Sequence, residues 1–105
     1  IGVSKRFTPF IYDTASVSSM HALASARESK FPNIVRNEGL AGNRNIPKLR
    51  IYISEEAHSS IEKSAITLGL GLQSIKKIAT NEHFEMEISE LSKAIELDKQ
   101  NGIVP

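Results

Sequence analysis

The chain has 105 residues, of which 40% are hydrophobic and 24% charged, and its formal net charge is +1. This balance excludes a disordered chain, and the scattered basic residues argue against a nucleic-acid partner, whose surface normally carries a basic stripe. The absence of cysteine excludes disulfides and thiolate chemistry. No apolar run approaches the roughly 20 residues that span a bilayer, and no signal peptide opens the chain. We therefore expect a cytoplasmic protein without a membrane partner.

The first predicted elements are a strand end and a helix. The apolar residues 10–12 predict the end of a short strand, and Asp13 or Thr14 can cap the helix that follows, because a side-chain oxygen accepts a free N–H of the first turn. The apolar face of this helix has the spacing i, i+3, i+6, i+7 and consists of Val17, Met20, Leu23 and Ala24.

A loop over residues 30–48 separates two predicted strand–helix units. It contains prolines, glycines and asparagines, with one helical turn around Ile34 and Val35. The alternation that follows, over residues 49–54, predicts a strand. We expect Ser54 to cap the next helix and Gly69 or Gly71 to end it. The expected apolar face of that helix is Ile61, Ala65 and Leu68.

The last third of the chain predicts another strand–helix unit. Ile75 and Ile78 mark a strand, Gly102 is a helix stop, and residues 103–105 begin a further strand. The helix between them has an apolar face of Ile88, Leu91, Ala94 and Ile95. Strands alternating with helices predict an α/β fold with a mostly parallel sheet and flanking helices.

Ligands of such sheets lie beyond the carboxyl ends of the strands, where helices begin. Two junctions of this kind carry small polar residues, at residues 12–19 and 53–60. Helix-start N–H groups with the Thr14 and Ser16 hydroxyls nearby would suit a phosphate group. Alternatively, Asp13, Thr14 and Ser54 are ordinary helix caps.

Other motifs point to no site. The glycines of "GLGLQS" end a helix instead of opening one, and residues 12–16 contain no glycine, which argues against nucleotide binding. The three histidines lack the spacing of a zinc site, and no G-x-S-x-G elbow is present. We expect His21 to be packed or partly exposed and His83 to be solvated. Only His58, at a strand-to-helix junction, has a position that favours chemistry.

Three segments resemble a known family: "IYDTASVSSMHALASARE", "IYISEEAHSSIEKSAITLGLG" and "IKKIATNEHFEMEISELSKAIELDKQNGIVP". They are similar to the group II pyridoxal-phosphate-dependent amino-acid decarboxylases, which include the aromatic-L-amino-acid decarboxylases. The resemblance covers residues 10–105. It implies that residues 1–105 are a single partial domain, a segment of the cofactor-binding large domain of the aspartate-aminotransferase-like fold (fold type I).

The resemblance also implies roles for individual residues. His58 stacks on the pyridine ring of pyridoxal 5'-phosphate, while the Ala15 N–H and Ser16 hold its phosphate, with Thr14 as a neighbour. The implied reaction removes the α-carboxylate of an L-amino acid, an aromatic one being favoured, and gives an amine and CO2. The implied full-length protein is a homodimer.

The family's Schiff-base lysine and the aspartate that pairs with the pyridine nitrogen are expected beyond Pro105. Lys63 is five positions from His58, roughly 140° round a helix, and does not share the ring. The 105-residue chain alone is therefore expected to be inactive. Two alternatives stay open: a family member that forms an aldehyde from an aromatic amino acid, and a catalytically inactive truncated α/β module.

Overall fold

A computed structural model describes residues 4–105. In chain order, its elements are α1 (Ala15–Lys30), α2 (Ile34–Glu38), β1 (Ile51–Ser54), α3 (Ser60–Thr67), a 3-10 turn (Leu72–Ser74), β2 (Ile75–Ile78) and α4 (Ile88–Gln100). The predicted alternation of strands and helices is thus confirmed from β1 onwards. The helical turn predicted in the loop of residues 30–48 is α2.

The sheet is parallel. β1 and β2 pair with Ile51 opposite Ile75 and Ser54 opposite Ile78. On the other side of β1, Val104 forms a parallel bridge with Leu49, and its carbonyl accepts the Arg50 N–H at 2.8 Å. The strand predicted to begin at residue 103 is therefore present as this single bridge. β1 lies between two neighbours that both come later in the chain.

The prediction of a strand end at residues 10–12 is wrong. These residues have no regular structure, and Ile11 is 96% exposed. A strand needs a neighbour for its backbone groups, and no segment within residues 4–105 pairs with this one. The aromatic rings of Phe10 and Tyr12 instead lie against His21 of α1, with centroid distances of 5.3 and 5.2 Å.

α1 packs against α3, and the apolar face predicted for α1 is half-buried. Near the end of α1, the Arg27 guanidinium donates to the Leu68 carbonyl at 2.9 Å. α3 stops there because Gly69 takes a left-handed φ of +74°, which lets the Leu70 N–H reach back to the Ala65 carbonyl at 2.9 Å. The predicted stop at Gly69 is confirmed.

Helices contact both faces of the sheet. On one face, the Asp98 carboxylate of α4 accepts from Arg50 Nε at 2.9 Å and from the Tyr52 hydroxyl at 2.8 Å. The hydrogen bond from Tyr52, reinforced by Arg50, lowers the pKa of Asp98, while burial and the bond to Asp98 raise the pKa of Tyr52 to about 12. On the opposite face, Lys77 forms an ion pair with Glu62 of α3 at 2.9 Å. This arrangement leaves the carboxyl edge of the strands free for a site.

The core of the described residues is small. The buried hydrophobic residues are Val35, Ile53, Ala65 and Ile78, and several large apolar side chains are exposed. Ile88, predicted on the apolar face of α4, is 67% exposed, because it is the first residue of the helix and lies at the opposite end from Asp98, whose carboxylate bonds to the sheet. Between residues 4 and 105, no helix is long and apolar enough to cross a membrane.

Candidate functional site

The carboxyl ends of β1 and β2 lie side by side, since Ser54 pairs with Ile78. Two loops leave this edge: residues 55–59, which lead to α3, and residues 79–87, which lead to α4. The Glu55 N–H donates to the Ile78 carbonyl at 3.0 Å and extends the strand ladder by one bond. This edge is where α/β sheets bind ligands.

Ser54 does not cap α3, so that prediction is wrong. The residue still belongs to β1, and its hydroxyl accepts the Glu56 N–H at 3.1 Å to close a turn within the loop. Because Glu55 continues the ladder to β2, the chain cannot enter a helix at this point. α3 begins only at Ser60. Glu55 and Glu56 therefore lie in the loop and not in the first turn of the helix.

His58 occupies the position just before α3. Its Nδ1 accepts the Ser60 N–H at 3.1 Å, and its carbonyl accepts the Ile61 N–H at 3.2 Å. Since Nδ1 is an acceptor, the proton of the neutral ring is on Nε2. The side chain is exposed and the residues before it and after it, Ala57 and Ser59, are small. The imidazole is thus held by one edge, and a planar group can approach its face.

The start of α1 is a second polar site. The Thr14 hydroxyl accepts the Val17 N–H at 3.3 Å, which confirms Thr14 as the helix cap. Within residues 4–105, the N–H groups of Ala15 and Ser16 have no hydrogen-bond partner, and both residues are exposed. Two free N–H groups at the positive end of a helix dipole, with the Ser16 hydroxyl beside them, have the donor chemistry that a phosphate requires.

The predicted site residues thus lie on two separate elements. Thr14, Ala15 and Ser16 lie at the start of α1, and His58 lies two residues before α3, the helix against which α1 packs. Among the described residues, no hydrogen bond joins His58 to that turn. A cavity of about 380 Å³ lies elsewhere, between β2 and α4, and includes Lys76 and Lys93 in its lining.

The sequence interpretation missed the contact between the two loops. The Glu55 carboxylate accepts both the N–H and the hydroxyl of Thr80, each at 2.8 Å. These two donors lower the pKa of Glu55 below its ordinary value. Glu55 directly follows the end of β1 and Thr80 is the second residue after the end of β2, and these positions were the available signal. We refer to this pair as the Glu55–Thr80 latch.

The remaining histidines are not part of the site. His83 is exposed in the loop after β2, 3.6 Å from the Glu82 carboxylate, as predicted for a solvated residue. His21 is half-buried between two aromatic rings. In the part of the chain that the structure describes, no group of three His, Cys, Asp or Glu side chains could hold a metal ion.

Known proteins are similar to this chain in sequence and in fold. A family model described as "Pyridoxal-dependent decarboxylase conserved domain" matches residues 7–105. Cysteine sulfinic acid decarboxylase of Homo sapiens is 33% identical over 90 residues, which are 86% of this chain and 17% of that protein. Histidine decarboxylase of Rattus norvegicus is 37% identical over 93 residues, which are 88% of this chain and 14% of that protein.

The crystal structure of mouse CSAD superposes on this chain with a TM-score of 0.83 and 33% sequence identity. The aligned region covers 91% of this chain and 19% of the CSAD chain. This likeness confirms the predicted α/β fold of a pyridoxal-phosphate-dependent decarboxylase. The chain spans only a small part of each of these relatives. The family model nevertheless matches almost the whole chain, and pyridoxal phosphate is the cofactor of that family. The chain belongs to the pyridoxal-dependent decarboxylase family.

Proposed function

We propose that residues 1–105 are a segment of the cofactor-binding large domain of an enzyme that removes the α-carboxylate of an L-amino acid. The full-length enzyme is proposed to be a cytoplasmic homodimer. Large apolar side chains left exposed in this segment, such as Phe10 and Leu97, support its place in a larger structure, since such surface is normally covered. The product of the reaction is an amine, released with CO2.

The observation that carries this proposal is the position of His58. Its ring is at the carboxyl edge of the sheet, exposed, and fixed at Nδ1 by the Ser60 N–H. A planar imidazole held in this way is suited to stacking on a flat aromatic ring. Pyridoxal phosphate, when bound, supplies the electron-accepting ring system for decarboxylation. The role of His58 is to keep that ring flat and oriented.

The start of α1 is proposed to hold the cofactor phosphate. The free N–H groups of Ala15 and Ser16 and the Ser16 hydroxyl would donate to it, and Thr14 keeps the helix start in place through its bond to Val17. A phosphate anchored at a helix start and a ring held by an imidazole would fix the cofactor at two points. Two-point fixation restrains both tilt and rotation of the ring.

The choice of amino acid is a separate matter. The relatives are named for cysteine sulfinic acid and for histidine, whose side chains differ in charge and shape. Neither name favours the aromatic substrate that the resemblance implied. That preference stays a prediction, and a panel of L-amino acids assayed for CO2 release by the full-length enzyme tests it.

The first test replaces His58 by Ala in the full-length enzyme. Offset aromatic stacking contributes about 0.5–1.5 kcal/mol, so the dissociation constant for pyridoxal phosphate should rise roughly two- to tenfold. The visible circular dichroism of the bound cofactor should also change, because the ring loses one of its two fixing points. Titration of the cofactor-free protein with pyridoxal phosphate measures both.

The matched control is His83→Ala, which removes an exposed histidine from the neighbouring loop. This variant should bind the cofactor like the unmodified enzyme. Equal affinity and an equal dichroism spectrum in the His58 and His83 variants would contradict the proposal.

A further inference from the structure

The Glu55–Thr80 latch joins the two loops at the carboxyl edge of the sheet. Glu55 is the first residue after β1, and one of its carboxylate oxygens accepts two hydrogen bonds of 2.8 Å from Thr80. The neighbouring residue, Glu56, has the same side chain and is also exposed, yet among residues 4–105 that side chain forms no hydrogen bond or ion pair. The latch is thus specific to one of two adjacent carboxylates.

Thr80 is a firm attachment point. It forms an antiparallel bridge with Met86, which closes the first part of the loop after β2. Inside that loop, the Asn81 side-chain oxygen accepts the N–H groups of His83 and Glu85 at 2.8 and 3.0 Å. A loop with this many internal hydrogen bonds resists displacement, so Glu55 is held against a rigid partner.

The segment between Glu55 and His58 is short and fixed at both ends. At the sheet end it has the latch and a turn in which the Ala57 N–H donates to the Ser54 carbonyl at 2.9 Å. At the helix end, His58 Nδ1 accepts the Ser60 N–H. Only Glu56 and Ala57 separate the two anchors, so a shift of Glu55 changes the position of the imidazole.

We infer that Glu55 is a positioning residue that, through its bonds to Thr80, sets the place of His58 relative to the pyridoxal phosphate ring. This inference rests on the proposed function, because it assumes that His58 stacks on the ring. Glu55 itself does not touch the cofactor. Its effect on cofactor binding passes through His58 and cannot exceed the effect of removing the His58 ring.

The test is a double-mutant cycle in the full-length enzyme, with pyridoxal phosphate affinity and visible circular dichroism as the measurements. Glu55→Ala should weaken cofactor binding roughly threefold, a part of the loss expected when the stacked ring is removed. Glu56→Ala, the matched control, should not change it. In a His58→Ala background, Glu55→Ala should cause no further loss.

Two Thr80 variants give an independent measurement of the latch. Thr80→Val removes the hydroxyl but keeps the N–H, so it should cause a smaller loss of affinity than Glu55→Ala. Thr80→Ser keeps both donors and should behave like the unmodified enzyme. In the cofactor-free protein, the imidazole ¹⁵N signal of His58 should move in Glu55→Ala and in Thr80→Val but not in Thr80→Ser.

The outcomes separate this inference from the proposed function. If His58→Ala binds the cofactor normally, the proposed function is wrong. If His58→Ala weakens binding while Glu55→Ala and Glu56→Ala behave alike, the positioning role alone is wrong. A Glu55→Ala effect that is equally large with and without the His58 ring would also overturn the positioning role, because the effect would then be a general loss of structure.

Discussion

The two polar junctions differ in what holds them. At the start of α1, the Thr14 hydroxyl and carbonyl cap the helix, and every bond is made within four residues. At the junction after β1, Glu55 bonds to Ile78 and Thr80 of a different strand and loop. The first junction is fixed by local sequence, whereas the second is fixed by a neighbour more than twenty residues away. In the proposed site, the phosphate would be held by a turn that local sequence fixes, and the cofactor ring would be held by a residue whose position depends on the sheet.

The largest expected effect comes from removing the support of the second junction. Ile78 is 2% exposed and pairs with Ser54 at the end of the sheet. Ile78→Ala should lower the local stability by about 2–5 kcal/mol, because it deletes a buried side chain and leaves a cavity. Hydrogen exchange followed by mass spectrometry should show faster exchange in the peptide around residues 54–60 and unchanged exchange around residues 14–19.

The control for this change is Glu82→Ala. The Glu82 side chain is 87% exposed in the loop after β2, and its truncation should alter stability by no more than about 0.5 kcal/mol. If Ile78→Ala accelerated exchange equally at both junctions, the contrast between them would be lost.

A smaller effect is expected from a charge placed at the first junction. In Ser16→Asp, a carboxylate would face the cofactor phosphate, and the repulsion of two anions at close range should weaken pyridoxal phosphate binding about a hundredfold. An acidic residue in the first turn favours the helix itself, so the fold of α1 should persist. Equilibrium titration of the full-length enzyme measures the loss.

Ser18→Asp is the matched control. It introduces the same charge on the same helix, also at an exposed position, but about 200° further round. Equal cofactor affinity in the two variants would mean that the phosphate is not held at the start of α1.

The smallest effect is a pH dependence confined to the second junction. The Thr80 donors lower the pKa of Glu55 below its ordinary value of 4.5. The carboxylate of Glu55 therefore stays ionised to a lower pH in the folded protein than in the unfolded protein. The contribution of the latch is complete at neutral pH and is lost as the pH falls through the lowered pKa.

The Thr80 amide proton reports on this loss in NMR spectra of protein labelled with ¹⁵N-threonine. Its chemical shift should move on acidification at a pH below 4.5, and Glu55→Gln should abolish that movement. The cap of α1 is a neutral hydroxyl, so the Val17 amide should show no equivalent titration. A Thr80 shift that persists in Glu55→Gln would assign the titration to another group.

The difference between the junctions also explains what could be predicted from sequence. Thr14 as a cap and Gly69 as a stop are local features, defined by residues within one helical turn, and both predictions are confirmed. The positions of β1 and β2 followed from apolar alternation. His58 was predicted as a site residue from its place after a strand and from the family resemblance, and its role stays a prediction.

The errors came from features that depend on distant parts of the chain. Residues 10–12 have the composition of a strand, but composition does not supply a neighbour to pair with. Ser54 is of a residue type that often caps helices, but its pairing with Ile78 keeps it in the sheet. The Glu55–Thr80 latch joins residues 25 positions apart and has no signature in either segment alone.

The order of the strands has a consequence for synthesis. β1 lies at the middle of the sheet, yet both of its neighbours, β2 and Val104, are made after it. At about 5–20 residues per second, the ribosome needs roughly 3–10 s to add the fifty or so residues that separate the end of β1 from Val104. Through that interval a short apolar strand has at least one open edge, with Arg50 and Glu55 as the charges next to it in the sequence. During synthesis the nascent chain is therefore open to wrong pairing at β1, the strand that leads into the loop of His58.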